Sequence, residues 1–426
     1  MLLRVLYATV AKLVSLGAFV VPAGEGKARL ALRARRGIRQ RYAGWGAAQR
    51  DPRRALVWMH APSVGEGLQA RPVLRLLREA RPDLQLAYTF FSPSAEEFSR
   101  ALDVDFRDYL PFDTGGDMEA ALGALRPAAL VFSKLDVWPE LVRRAARRGV
   151  KLGMVSATLA EGSGRRGALA ASLLRDAYAA LDAVGAVSAE DADRLVELGV
   201  RREAIEVTGD TRFDQVAQRA EQVDRGGPLL GRLDDGRLTL VAGSTWPSDE
   251  ARLLPAFERA HMAVPNLRLV IAPHEMTAAH LEAIERWAAS AKLSLARVDA
   301  PEAADAAVIL VDRFGLLGDL YALAAVAFVG GGFHDAGLHS VLEPAAFGAP
   351  VLFGPKHARS RDAALLLVAK GARAAADSGE LTAALEAWVT SADARTEAGQ
   401  RARALVQDGR GAAERSARLI ERLLSG

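Results

Sequence analysis

The sequence predicts an α/β protein made of two doubly wound, Rossmann-like halves, and three observations carry that prediction. Short apolar runs alternate with longer Ala/Leu/Arg-rich helical patterns along most of the chain, the pattern of fully buried parallel strands and their crossover helices. The alternation stops once, at the Gly-, Pro- and charge-rich stretch 222–237, and then restarts. The chain has 426 residues, enough for two or three cores at roughly 100 to 200 residues per domain. Half of these residues are hydrophobic and a quarter charged, which fits neither a disordered chain nor a multi-span membrane protein.

In the first half, buried strands are expected at 55–61, 84–90, 128–133, 151–157 and 183–188, each followed by a helical stretch. In the second half they are expected at 238–244, 267–273, 306–311, 326–331 and 350–354. The domain limits that follow are 1–45 for an amino-terminal helix with a basic segment, 46–225 for one Rossmann-like domain and 226–426 for the other. In such sheets ligands lie at the carboxyl ends of the strands, so the expected site is a cleft between the halves.

The amino terminus is set apart by charge. Residues 1–50 carry ten Lys/Arg against the single acid Glu25, a net +9, so the formal +3 of the whole chain leaves −6 on the remainder. A nucleic-acid partner would call for basic charge on the body of the fold, with aromatic stacking residues beside it, and is not expected. The first 21 residues, ending before Pro22, are mostly apolar and at about 1.5 Å per residue reach the thickness of a bilayer core.

Arg4 and Lys12 interrupt that stretch. On a helical wheel they fall in one arc with Thr9 and Ser15, an arc that Val5, Leu16 and Phe19 share. The favoured expectation is an anchor helix lying in or dipping into a membrane, with the Arg-rich 27–41 segment on anionic lipid at the cytoplasmic face. A secretory signal is opposed by the lack of a small-x-small cleavage site and by the arginines downstream. A buried first helix of the globular body is the remaining alternative. The absence of cysteine excludes disulfides, thiolate zinc, iron–sulfur clusters and a cysteine nucleophile.

Three motifs sit at predicted strand ends. Gly162, Gly164 and Gly167 match a dinucleotide fingerprint, but residues 158–161 separate them from their strand and no acid follows about twenty residues on, so a loop is expected there. Ser63-x-x-Glu66, after the first strand, is a capping box. It also places a carboxylate between Gly65 and Gly67 at a strand's carboxyl end, where Glu66 can act as a general base. The glycine run 330–332 with His334, Gly337, His339, Ser340 and Glu343 forms a loop feeding a helix expected to begin near Ser340. Its amides would bind phosphate and Glu343 a ribose diol, the alternative being a glycine turn with a capped helix.

Ser244, Thr245 and Trp246 add hydroxyls and amides on the same edge of the second half. His274, Glu275 and His280 lack metal-ligand spacing, so no metal and no other cofactor is expected. A nucleophile elbow and a Walker loop are also absent from the sequence.

Together several segments resemble one family, the 3-deoxy-D-manno-oct-2-ulosonic acid (Kdo) transferases of Gram-negative lipopolysaccharide synthesis. They are Ser63-Val-Gly-Glu66, Tyr109-Leu-Pro-Phe-Asp113, Trp138-Pro139, Val207-Thr-Gly-Asp-Thr-Arg-Phe-Asp214, Gly243-Ser-Thr245, Ala327-Phe-Val-Gly-Gly331, His339 through Gly348, and Pro350 through Pro355. The resemblance spans nearly the whole chain and implies an inverting glycosyltransferase of the two-domain GT-B fold, with the last helix packing back on the amino-terminal domain.

By the same resemblance Glu66 is the base. Gly331, Gly332, His339, Ser340 and Glu343 hold the CMP of the donor CMP-Kdo, with Ser244, Thr245, Pro273 and His274 nearby and Arg212 on donor phosphate or carboxylate. Ser63, Gly65, Lys134 and Asp136 face the acceptor, a lipid A precursor, at the cytoplasmic face of the inner membrane. One branch of the family has two glutamates before its Trp-Pro. This chain has Lys134 and Asp136 there, a shortened Pro273-His-Glu275 and Ser340 for an asparagine; Lys134-x-Asp136-x-Trp138, Thr211-Arg-Phe-Asp214 and Pro273-His-Glu275 resemble a second branch. The alternatives are another GT-B transferase or an epimerase using a UDP-sugar, or a non-catalytic membrane-docked nucleotide-binding protein.

Overall fold

The structure, a computed structural model, describes residues 2–20, 26–160, 165 and 167–425. The chain divides into two compact units, one formed by Met1–Gln215 with Arg410–Gly426 and the other by Val216–Gly409. Each is built on a seven-stranded sheet in which every pairing is parallel.

In the first unit the strands are β1 (Leu56–His60), β2 (Gln85–Phe90), β3 (Phe106–Tyr109), β4 (Ala129–Ser133), β5 (Lys151–Ala157), β6 (Ala183–Ala186) and β7 (Ile205–Val207), in the spatial order β3-β2-β1-β4-β5-β6-β7. The second unit holds β8 (Leu238–Thr245), β9 (Leu267–Pro273), β10 (Leu295–Arg297), β11 (Val308–Leu310), β12 (Val326–Val329), β13 (Val351–Phe353) and β14 (Ala372–Ala374), ordered β10-β11-β9-β8-β12-β13-β14. Chain direction across each sheet reverses between β1 and β4 and between β8 and β12, the positions where a doubly wound sheet opens a crevice at its carboxyl edge.

All ten expected strands are present. The four that pattern reading missed, β3, β7, β10 and β14, are the four sheet edges. A central parallel strand is covered on both faces and reads as an apolar run, as in the five fully buried residues of β1. An edge strand is short and half wet: β7 has two exposed residues of three and β10 one of three, so the hydrophobic signal is lost.

The basic amino-terminal segment is divided between surface and core. Ile38, Tyr42 and Trp45, on helix Ile38–Ala48, belong to the core of the first unit, where Tyr42 donates to the Tyr109 carbonyl (2.9 Å) and Trp45 to that of Asp105 (3.1 Å). Its arginines are partly engaged there as well: Arg41 forms a two-point pair with Asp108 (2.7 and 2.8 Å) and the Arg35 guanidinium is buried. Position 45 therefore does not separate anchor from domain.

Helix Leu2–Val20 turns Tyr7, Ala11 and Ser15 toward the body and leaves Leu6, Val10, Leu13 and Val14 between 45 and 62 % exposed. Among the described residues no helix is long and apolar enough to cross a membrane. The glycine motif at 162–167 lies outside the described residues, apart from Arg165 and Gly167. At the other end of the chain, helix Ala412–Ser425 joins the first unit. Asp214 accepts from the Gly411 and Ala413 amides at its start (2.7 and 2.9 Å), and Leu423 rests where a β-carbon on Gly153 of β5 would fall.

Candidate functional site

Chemistry-bearing residues gather at the carboxyl edge of each sheet. In the first unit β1 ends at His60, and helix Val64–Ala80 begins four residues later with Ser63 as its N-cap. The capping-box expectation is half met. Ser63 sits at the cap position, but its hydroxyl donates to the Glu66 carboxylate and makes no cap bond to the helix amides. The other Glu66 oxygen lies 3.3 Å from the Lys134 ammonium, and the Ser133 hydroxyl donates to the Glu66 carbonyl (3.0 Å).

Lys134 follows β4 with φ +65°, a left-handed conformation uncommon for a residue with a β-carbon. Its amide donates to the Val155 carbonyl of β5 (2.9 Å), which anchors this turn to the sheet. Burial pushes the Glu66 carboxyl up, but the Ser63 hydrogen bond and the Lys134 charge outweigh it, and its pKa falls below the ordinary glutamate value. Glu66 is thus a partly buried carboxylate, 15 % exposed, kept ionised at neutral pH. Asp136, two residues along, pairs with Arg165, and burial raises its pKa.

The glycines flanking Glu66 have different reasons. A β-carbon on Gly67 would meet Phe98 at 2.5 Å and the Tyr88 hydroxyl at 2.7 Å, so close packing requires glycine there. Gly65 meets only the Ser63 hydroxyl, at 3.7 Å, and leaves its face of the helix open. Beneath them His60 is fully buried and neutral, its pKa lowered to about 3 by burial. Its Nε2 accepts from the Trp138 indole (3.0 Å), so the ring proton sits on Nδ1 and bonds Thr89 (3.0 Å). This fixes Trp138, which closes the turn that carries Lys134 and Asp136.

In the second unit the glycine run differs from the phosphate cradle the motif suggested. Asp249, fully buried, accepts from the amides of Trp246 (2.9 Å), Gly331 (2.8 Å) and Phe333 (2.9 Å). The Gly331 amide is therefore turned to a protein carboxylate. The glycines permit backbone contact: a β-carbon on Gly330 would lie 2.1 Å from the Ser244 carbonyl, one on Gly331 2.0 Å from that of Gly337, and one on Gly332 2.3 Å from the Gly354 amide.

The helix expected near Ser340 is Leu342–Ala346, one short turn with no side-chain cap, and Ser340 is exposed before it. Thr245 is fully buried with its hydroxyl on Glu250 (2.7 Å), so it cannot offer that hydroxyl to a ligand. Glu250 also meets His280 Nε2 at 2.9 Å, which makes that histidine a structural partner.

What this edge does present is an aromatic column. His334 stacks on Trp246 (centroids 4.0 Å apart), Trp246 on His274 (4.5 Å), and His274 packs on His339 (4.6 Å). Pro273 ends β9 directly before His274, whose amide donates to the Thr245 carbonyl (2.9 Å). Around the column the Trp246 indole nitrogen, the Ser248 hydroxyl and His339 Nε2 are buried without a hydrogen-bond partner. Such atoms in a native fold call for a ligand or water.

Burial, aided by His274, lowers the His339 pKa and keeps its ring neutral. Burial also raises that of Glu343, against the pull of Arg219. Ser248 and Asp249 were not anticipated; the sequence signal was Trp246-Pro-Ser-Asp249, a helix start whose acid serves a distant loop. Arg212 belongs to the first unit, where Asp210 binds its guanidinium (2.6 Å from Nη2). Among the described residues no three His, Asp or Glu side chains converge as metal ligands.

Residues 33–215 match the family model described as 3-deoxy-D-manno-octulosonic-acid transferase (kdotransferase). The 3-deoxy-D-manno-octulosonic acid transferase of Bordetella pertussis is 32 % identical over 346 residues, covering 78 % of each chain. That of Haemophilus influenzae is 26 % identical over 404 residues, covering 91 % of this chain and 92 % of the other. Among solved structures, UDP-GlcNAc 2-epimerase from Neisseria meningitidis bound to UDP-GlcNAc superposes with TM-score 0.64 at 13 % identity, covering 87 % of this chain and all of that one. The epimerase of Methanocaldococcus jannaschii gives 0.57 at 12 %, covering 83 and 99 %. At such identities the structural likeness speaks for the two-domain GT-B architecture alone.

Proposed function

The chain belongs to the Kdo transferase family, enzymes of lipopolysaccharide synthesis, and from that premise we propose that it moves Kdo from CMP-Kdo to a lipid A precursor with Glu66 as the general base. The observation that carries the reading is the Glu66 carboxylate, held ionised between Ser63 and Lys134 at the carboxyl edge of the first sheet.

In the reaction an acceptor hydroxyl loses its proton to Glu66 as its oxygen attacks the anomeric carbon of Kdo. The bond from that carbon to the CMP phosphate oxygen breaks, and its electron pair leaves with CMP. A single displacement of this kind inverts the anomeric centre. The nucleotide belongs to the second unit, with the column of His334, Trp246, His274 and His339 as its wall. The partnerless Ser248 hydroxyl and His339 Nε2 are offered to it, with Ser340, Glu343 and the Gly332 segment beside them. Arg212, held by Asp210, is a cation for the donor's carboxylate or phosphate.

Acceptor contacts fall to Ser63, Gly65, Lys134 and Asp136. The exposed apolar face of helix Leu2–Val20 and the arginines that follow suit attachment to an anionic inner-membrane surface. Replacing Glu66 by Gln tests the base: transfer, read by mass spectrometry with CMP-Kdo and lipid acceptor, is expected to fall at least a hundredfold while CMP-Kdo binding persists. Near-normal transfer overturns it.

A further inference from the structure

On the body side of helix Leu2–Val20 lies a cavity of about 690 Å³ whose wall includes Lys12, Arg35, Arg36, Arg39 and a single carboxylate, Asp117. That carboxylate is already engaged: Arg39 Nε is 2.5 Å from Oδ1 and the Thr114 hydroxyl donates to Oδ2 (2.7 Å). Arg35 is 4 % exposed. It donates to the carbonyls of Ala31, Phe91 and Leu110 (2.7 to 3.1 Å), and among the described residues no carboxylate lies within ion-pair reach of it or of Lys12. Burial lowers its pKa to about 10, which leaves the guanidinium protonated at neutral pH. Of these cations Arg35 alone is buried, and a buried guanidinium with no carboxylate beside it favours the entry of an anion into the cavity.

Two further features say which anion. The outer face of the same helix is apolar and exposed, with Leu6, Val10, Leu13 and Val14, and Tyr7 bonds Asp113 (2.7 Å) to hold the helix over the cavity. A free phosphate or a nucleotide would use the charge and leave that face bare, whereas an anion with an apolar tail uses both. A run of packed side chains leads from Arg35 toward the edge that carries Glu66. The Arg35 guanidinium lies 4.1 Å from the Phe91 ring, Phe91 stacks on Trp138 (5.1 Å), and Trp138 closes the turn that brings Lys134 to Glu66.

We propose that this cavity binds the phosphate of the phosphorylated glycolipid acceptor, with Lys12, Arg36 and Arg39 as its ligands and Arg35 as the buried charge behind them. The inference rests on the acceptor assignment above and adds where the headgroup is held and what distinguishes the acceptor from other lipids. The volume suits a phosphorylated sugar.

The test uses the full chain in neutral-detergent micelles, without other anionic lipid, and the variant K12M/R36Q. Both side chains are replaced by uncharged ones of similar length, so packing is kept. With a phosphorylated acceptor the variant's KM is expected to rise at least tenfold, with kcat and the CMP-Kdo KM unchanged. With the same acceptor after phosphatase treatment, wild type and variant should coincide. Equal effects on the two acceptors, or none, overturn the proposal.

Sedimentation with phosphatidylglycerol vesicles separates the lipid sources. A variant that loses vesicle binding while still preferring the phosphorylated acceptor in micelles shows a site for bulk lipid and also overturns it. If wild type transfers Kdo to neither acceptor, the functional reading fails on its own. The cavity is then judged by binding of micelles doped with the phosphorylated glycolipid, where a tenfold loss in the variant sustains it and no difference overturns it.

Discussion

Lys134 Nζ lies 3.3 Å from Glu66 Oε1, a contact between the turn after β4 and the first turn of the helix after β1. The ammonium stabilises the charged form of the carboxylate. If Glu66 is the base proposed above it acts when ionised, so kcat/KM is expected to climb with pH through its pKa, which lies below the ordinary glutamate value. Lys134→Met removes the charge, so the acidic limb of the kcat/KM profile is expected to move to higher pH, with Lys134→Arg restoring it. An unmoved limb would show that the ion pair does not tune the base.

Asp249 is the second such device. Its carboxylate accepts from three amides in two loops, and in Asp249→Asn at least one of them faces an NH₂ group in place of an acceptor. Leaving a buried donor unsatisfied costs about 1 to 3 kcal/mol, and that loss of stability is expected in urea unfolding, together with at least tenfold weaker CMP binding by calorimetry. Ser340→Ala, at an exposed position, should leave unfolding unchanged within about 0.5 kcal/mol.

Asp113 ties the first helix to the sheet through Tyr7, and it also accepts from the amides of Glu140 and Leu141 (2.9 and 2.8 Å) at a helix start. Burial raises its pKa to about 6, above its unfolded value, so the native state holds this proton longer. The stability linked to it is complete below about pH 4 and is lost as pH rises through about 6. Between pH 7 and pH 5 wild type should therefore gain roughly 1 kcal/mol on Asp113→Asn in denaturant unfolding. A difference that is flat with pH would place the ionisation elsewhere.

Val10 and Leu13 are 50 and 62 % exposed, so replacing both by Asp should leave thermal unfolding almost unchanged. If this face enters a membrane interface, each side chain contributes about 1.5 to 3 kcal/mol there at most, and vesicle sedimentation of the double variant should drop more than tenfold. Sedimentation equal to wild type would remove this face from the attachment surface.

By itself the sequence determined the class of fold, the ten interior strands and the edges where chemistry gathers. Interior parallel strands are written as apolar runs, and strand ends as glycine and hydroxyl motifs, both local in sequence. It also singled out Glu66, because a carboxylate in the first turn after a strand is a pattern of four residues. The edge strands escaped because a half-wet strand of three or four residues carries too little hydrophobic contrast to separate it from a loop.

Tertiary structure decided which groups remain available. The glycine run looked like a phosphate loop, yet the amides of Gly331 and of Phe333 just after the run serve Asp249, some eighty residues earlier, and its glycines admit neighbouring backbone. Thr245 looked like a ligand hydroxyl and is tied to Glu250. Lys134 stands where one branch of the family has an acid and is the cation beside Glu66, 68 residues away. A hydrogen bond or ion pair depends on atoms meeting within about 3 Å, and whether side chains and amides meet at that length, whether near in the chain like Thr245 and Glu250 or far apart like Glu66 and Lys134, is set by how sheets and helices pack, which no local pattern records.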